Sequence, residues 1–190
     1  MMTSAMKGPV TLIFDMDGTL LNSAPGIVRS LSHAIRRLGH DFQPKADIYA
    51  LFGPPMGQVV AQLLRPFGDD RNAECVNLYR DHYGERGLYD CASYPGISEA
   101  LDLLAGDGFL LTVATSKRQA FAEKMLRHAG LHARFADIRG TTADGTLDDE
   151  ADLLGMLLKS LRHPASPAFM IGDKRDDMLA ASKNGIPAKV

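Results

Sequence analysis

Long apolar runs, an excess of charge of one sign, and metal-type histidine or cysteine spacings are all missing from this chain of 190 residues. No apolar run approaches the roughly 18 residues needed to span a bilayer. The first residues, MMTSAMKGP, lack the apolar centre of a signal peptide, so neither a membrane nor export is expected. A formal net charge of −2 leaves no basic footprint, and nucleic acid is not an expected partner. Cys75 and Cys91 are the only cysteines; they have no metal spacing and read as thiols of a reducing cytosol. The 6 histidines are scattered and form no HExxH pair, which makes them poor zinc ligands. No internal repeat or low-complexity stretch is visible. What remains is a cytoplasmic globular protein of ordinary composition, 45% apolar and 23% charged. Its length suffices for one core, or for a core with a small inserted module.

What is present is an alternation of strands and helices with one interruption. Val10 to Phe14 is an apolar run of the length and type of a buried strand, and DMDGTL, Asp15 to Leu20, follows it directly. From about residue 22 to 88 the pattern is helical throughout. Pro25 and Gly26 open a helix that runs to about Leu38 with Gly39 as its stop. FGPPMG, Phe52 to Gly57, reads as a turn with Pro55 near the first position of a second helix ending by Pro66. A third helix is expected over about Arg71 to Tyr83. The arginines of this block, Arg36, Arg37, Arg65, Arg71 and Arg86, read as solvated helix faces. From Tyr94 the alternation resumes. Ser98 to Ala105 is a helix, FLLTVA (Phe109 to Ala114) a buried strand, Ser116 to Gly130 a helix, and Phe135 to Arg139 a weaker strand. Asp149 to Leu161 is a helix, AFMI (Ala168 to Ile171) a short strand, and Asp176 to Asn184 a helix. Ile186 to Val190 opens one more strand, so a terminal strand and helix are expected to be missing from the sequence. Such alternation argues a doubly wound parallel sheet.

Strands in this order end in polar groups able to act together: Asp15 and Asp17, then Thr115 and Ser116, then Asp173 and Asp177. In an open α/β sheet the carboxyl edge is where ligands bind. Plain structural roles exist for each. DMDGTL could be an Asx turn with Gly18 as punctuation, and Thr115-Ser116 and GDKRDD could cap the helices that follow. A DxDGT directly after an apolar strand is nonetheless uncommon by chance, and a helix N-terminus is itself a phosphate site. Carboxylates gathered at one sheet edge would repel unless a cation neutralised them. Hard oxygen ligands with room for water and a phosphate suit Mg²⁺. A metal-bound carboxylate facing a phosphoryl group is an established nucleophile.

On these residues the chain resembles the haloacid dehalogenase-like phosphohydrolases, in particular the phosphoglycolate phosphatase-like branch with a helical cap inserted after the first motif. DMDGTL is similar to the first motif, TVATSK to the second and IGDKRDD to the fourth, while TLLNSAPGI and SYPGI resemble the hinges of the cap. The resemblance covers the chain from about residue 10 onward. It implies a Rossmann-like α/β core at residues 1–21 and 90–190, a helical cap at 22–89, and an active site in the cleft between them. It implies that Asp15 is the nucleophile and Asp17 the general acid and base. Gly18, Thr115, Ser116 and Lys117 would surround the phosphoryl group, with Thr115 hydrogen-bonding its oxygens. Mg²⁺ would be held by the Asp15 side chain, the Asp17 backbone carbonyl and Asp173, with Asp177 as a ligand through water or an orienting residue. FGPPMG falls where the family's cap carries a substrate-facing loop.

One motif departs from the family. A lysine is expected at the start of the helix before the fourth motif, placed to neutralise the nucleophile. That stretch reads LDDEADLL, with Glu150 in the lysine's place. Lys117 and Lys174 are possible replacements, whereas Lys159 lies roughly 14 Å further along its helix at 1.5 Å per residue. The resemblance thus implies a Mg²⁺-dependent phosphomonoester hydrolase, of reduced activity, for a small phosphorylated metabolite such as phosphoglycolate. A 5′-nucleotidase or phosphomutase of the same superfamily is an alternative. A binding or regulatory protein that keeps the fold without turnover is another.

Overall fold

The computed structural model describes residues 8–45, 48, 51, 54–142, 149–161 and 167–189. In chain order the elements are β1 (Thr11–Phe14), β2 (Leu21–Asn22), α1 (Ala24–Arg37), α2 (Met56–Leu64), α3 (Asn72–Glu85), β3 (Ala92–Ser93) and α4 (Ile97–Gly106). They continue with β4 (Leu110–Arg118), α5 (Gln119–His128), β5 (Asp137–Thr141), α6 (Glu150–Ser160), β6 (Ala168–Ile171), α7 (Arg175–Lys183) and β7 (Ala188–Lys189). By its internal contacts the chain divides into one compact unit of Met1–Asn22 with Ala92–Val190, and a second of Ser23–Cys91.

The first unit is the doubly wound α/β core. Its five-stranded sheet has the order β5-β4-β1-β6-β7, and each neighbouring pair is parallel. Parallel strands cannot be joined by a tight turn, which is why helices separate them in the sequence. β1 is buried along its whole length, so both faces are covered, and its residues form a continuous apolar run instead of alternating. One face of the sheet gives Ile13, Ala114 and Met170 to a cluster with Leu153, Leu154 and Leu157 of α6 and Ala180 and Ala181 of α7. Phe14, pointing the other way from Ile13 by strand alternation, meets Phe135 edge to face at 6.3 Å.

The second unit is helical among its described residues. α1 and α3 lie together, α1 burying Ile27, Leu31, Ala34 and Ile35, and α3 burying Cys75, Val76, Tyr79 and Tyr83. The Tyr79 and Tyr83 rings stack at 5.4 Å. Gly26 is needed where α1 meets the turn after α3, because a Cβ there would strike the carbonyl oxygen of Gly87. Arg36 and Arg71 are not merely solvated. Arg36 donates to the Phe42 carbonyl, and Arg71 to the Leu38 carbonyl and the Asp69 carboxylate. Of FGPPMG, Phe52 and Gly53 lie outside the described residues, and Pro55 immediately precedes α2.

The helix expected from Ser116 begins at Gln119, and Thr115, Ser116 and Lys117 belong to β4. The cause is long-range. Thr115 pairs with Gly140 of β5 and the ladder resumes only at Arg118 with Thr141, so Ser116 and Lys117 form a bulge. β2 and β3 also had no forecast; they pair antiparallel, Leu21 with Ser93 and Asn22 with Ala92. No described helix is long and apolar enough to cross a membrane.

Candidate active site

Phe14 pairs with Val113 of β4 on one side and Ile171 of β6 on the other. Asp15 and Gly172-Asp173 therefore leave the sheet at the same edge, beside Ala114-Thr115, which continue in β4 and pair with β5. This edge is also where the strand order turns back on itself, the place at which open α/β sheets bind ligands. The segment after β1 doubles back tightly: Leu20 and Leu21 both donate to the Met16 carbonyl, and Gly18 donates to the Leu21 carbonyl at 3.0 Å. Gly18 has φ +99°, and a Cβ on it would overlap the Asp173 carboxylate. Gly172 stands in the same relation to the Asp177 carboxylate. These glycines let two carboxylates lie directly on the backbone.

Asp15 and Asp177 are 2% and 1% exposed. Asp177 sits in the first turn of α7, where its Oδ2 accepts the Lys174 N–H at 2.9 Å. Glu150 is the first residue of α6, and Asp149 caps that helix by accepting from the N–H groups of Ala151 and Asp152. Glu150 lies in the site: carboxylate oxygens of Asp15, Glu150 and Asp177 are all within 4.8 Å of one another. The acid in the lysine's place does face the Asp15 carboxylate. Burial, followed by the charges of Asp177 and Asp17, raises the Asp15 carboxyl to about 7, against the pull of Lys174. Burial, followed by the charges of Asp177 and Asp15, pushes Glu150 up to about 8. Asp177 is raised as well, chiefly by burial, although the Lys174 N–H and a hydrogen bond with Glu150 restrain it.

The candidate replacement cations go to different places. The Lys117 ammonium lies 2.7 Å from Asp17 Oδ2, so it pairs with Asp17. The bulge in β4 accounts for this aim, since an extra residue redirects the side chains around it. Gly140 permits the bulge: a Cβ there would strike the Lys117 carbonyl oxygen and the Gln119 backbone. Gln119 holds β5 in place, accepting from the Gly140 N–H at 2.6 Å and donating to the Ile138 carbonyl at 2.9 Å. Lys174 acts on Asp15 and Glu150 through its charge.

Thr115 is buried at the end of β4's apolar stretch, and its hydroxyl accepts the Lys117 N–H at 3.3 Å. Ser116 is exposed, and its carbonyl accepts from the Thr141 hydroxyl. No helix starts there, so the capping role considered for this pair falls away. Asp173 is exposed and lies against Gly18, outside the trio of Asp15, Glu150 and Asp177. The sequence signalled Glu150 only as a departure from a motif, not as a member of the acidic cluster. Gln119 and Gly140 carried no signal, because their roles depend on the pairing of β4 with β5. Thr19 was marked only by its place in DxDGT.

Asp15 Oδ2, Asp17 Oδ1 and Thr19 Oγ1 are buried with no hydrogen-bond partner among the described residues. Buried anionic oxygens without donors are costly unless a cation meets them. The set is two carboxylate oxygens and one hydroxyl oxygen, all hard donors, so these residues fit a hard divalent ion such as Mg²⁺.

The family profile of haloacid dehalogenase-like hydrolases matches residues 12–190. A Pseudomonas aeruginosa protein named 5′-nucleotidase is 39% identical over 186 residues, which cover 98% of this chain and 83% of that protein. The tyrosine-protein kinase PtkA of Mycobacterium tuberculosis is 36% identical over 190 residues, covering 99% of this chain but 64% of its own length. Among solved structures, a haloacid dehalogenase-like family hydrolase from Streptococcus pneumoniae matches with a TM-score of 0.84 at 28% identity, covering 95% of this chain and 83% of that one.

Proposed function

The chain belongs to the haloacid dehalogenase-like hydrolase family, and from that premise we propose that it is a Mg²⁺-dependent phosphomonoester hydrolase acting through an aspartyl-phosphate on Asp15. The observation that carries this reading is the pair of buried oxygens without donors, Asp15 Oδ2 and Asp17 Oδ1, just beyond β1. Asp15 attacks phosphorus, and the ester oxygen leaves with a proton from Asp17. Asp17 then takes a proton from the water that cleaves the aspartyl-phosphate. Thr115 and Lys117 contact the phosphoryl oxygens, with Gly18 and Ser116 beside them. Asp15, the Asp17 backbone carbonyl and Asp173 would hold Mg²⁺, with Asp177 as a further ligand or an orienting residue. When bound, the ion supplies positive charge against the phosphoryl oxygens and Asp15.

In this reading the helical unit, Ser23–Cys91, is the cap that selects the leaving group. The substrate is a small phosphate monoester in the cytoplasm, with neither nucleic acid nor membrane involved. Phosphoglycolate and a nucleoside 5′-monophosphate are the leading candidates, the latter supported by the name of the relative at 39% identity.

Glu150 favours a second reading, in which the fold and metal site persist and turnover has been lost. The two are separated by Mg²⁺-dependent hydrolysis of an aryl phosphate. Native activity that falls by about 10³-fold or more in Asp15→Asn supports the enzyme. An inactive native protein with activity gained in Glu150→Lys supports the second reading. If neither protein turns over or binds Mg²⁺, the phosphatase reading fails.

A further inference from the structure

We propose that Glu150 is a direct metal ligand, and that Asp15, Glu150 and Asp177 together enclose a divalent-cation position that the family motifs do not describe. The geometry is the first argument. Ligand oxygens of one octahedral Mg²⁺ stand about 2.9–4.2 Å apart at metal–oxygen distances of 2.0–2.1 Å, and those of Ca²⁺ or Mn²⁺ somewhat further. Oxygens of the trio already lie within 4.8 Å of one another, so a small side-chain adjustment closes them on an ion. They come from three separate elements: the residue after β1, the first residue of α6 and the first turn of α7. A ligand set fixed by rigid elements is organised before the ion arrives.

The second argument is independent of the spacing. Asp15 is 2% exposed, and its Oδ2 has no hydrogen-bond partner among the described residues. Within the trio Glu150 and Asp177 share a hydrogen bond, and Lys174 acts on all three through its charge. Asp15 Oδ2 still has no donor among the described residues, and further local donors are committed elsewhere. The N–H groups of Ala151 and Asp152 at the start of α6 bond the Asp149 side chain, and Lys117 lies on Asp17. Asp177 takes the Lys174 N–H with one oxygen. Three carboxylates around a buried oxygen without a donor are the arrangement a divalent cation completes.

The inference shares Asp15 with the proposed reaction but does not require turnover. Its test is Mn²⁺ and Mg²⁺ binding to the full chain by titration calorimetry, with the electron paramagnetic resonance of Mn²⁺ as a second readout. Native protein, Glu150→Gln, Glu150→Ala and Asp173→Asn are compared, after circular dichroism has shown each to be folded. Glu150→Gln and Glu150→Ala should each weaken binding by about tenfold or more and alter the Mn²⁺ spectrum. Asp173→Asn should leave a Glu150-dependent binding event in place. Native affinity retained in Glu150→Gln overturns the inference, and so does a native protein that binds neither ion. Aryl phosphate hydrolysis, assayed alongside, separates the outcomes. Hydrolysis with Glu150-independent binding leaves the phosphatase reading and removes this one. Glu150-dependent binding without hydrolysis does the reverse.

Discussion

Single residues set the charge problem of this site. Asp15, Glu150 and Asp177 crowd a buried corner in which Lys174 is the cation that lowers each carboxyl. An ammonium at position 150 would have brought one positive charge; a glutamate with a divalent ion leaves the same sum, and a glutamate alone does not. Without the ion, Asp15 and Glu150 keep protons to about 7 and about 8, against ordinary values of 3.8 and 4.5. A carboxyl raised in the folded state gives its full contribution below the unfolded pKa and loses it as pH rises through the folded pKa. Protein stripped with a chelator should therefore melt at falling temperature between pH of about 4 and about 8. Glu150→Gln should flatten that fall, and added Mg²⁺ should oppose it. Scanning calorimetry across the range, with and without chelator, checks the slope; a melting temperature that climbs would contradict the burial of these groups. Gly18 offers a second check. Gly18→Ala places a Cβ on the Asp173 carboxylate at a φ of +99°, at a cost of about 1–2 kcal/mol in stability together with loss of hydrolysis. Asp15, Asp17 and Gly18 could be read from the chain because they directly follow an apolar strand. Glu150 could be read only as a conflict, since its neighbours Asp15 and Asp177 are far away in sequence.

Elements decide how Lys117 reaches Asp17. The polar run Thr115-Ser116-Lys117 has the composition of a helix start, which is why the sequence alone puts α5 three residues early. Its true state depends on β5, whose Gly140 admits the bulge and whose backbone Gln119 grips. No window around Thr115 contains that information. β2 and β3 escaped for a related reason: a strand of two residues has no periodicity to detect. Helices α1, α3 and α7 were readable within two residues because an apolar face and end signals are local. The bulge yields its own prediction. Gln119→Ala leaves the Gly140 N–H without its acceptor, a loss of about 1–3 kcal/mol by urea denaturation. It should also lower kcat more than it raises KM, because it loosens Lys117 and Asp17 while the helical unit Ser23–Cys91 is untouched. An unchanged kcat in a destabilised variant would mean that the bulge does not position this pair.

At the scale of the whole molecule, strand–helix alternation was enough to indicate a doubly wound core, but not the order β5-β4-β1-β6-β7. Parallel neighbours are separated by whole helices, and β1 meets β4 only after the entire helical unit has intervened. That unit leaves and re-enters the core at paired residues, Asn22 opposite Ala92 in an antiparallel ladder. Facing residues of such a ladder lie about 4.5–5.5 Å apart, a gap that a turn of two to four residues closes. Among the described residues, the Ile13–Leu157–Met170 cluster is built from the α/β unit, and the helical unit has buried side chains of its own, among them Leu31, Val76 and Tyr83. Replacing Ser23–Cys91 by a short turn should therefore leave a core that unfolds cooperatively in urea. That core should bind Mn²⁺ through Asp15, Glu150 and Asp177 with near-native affinity, because all three belong to it. If the helical unit is the cap, the shortened chain should still hydrolyse an aryl phosphate slowly while losing its ranking of phosphoglycolate against nucleoside 5′-monophosphates. A shortened chain that keeps the native ranking would place substrate selection in the core, and one that fails to fold would give the helical unit a structural role instead.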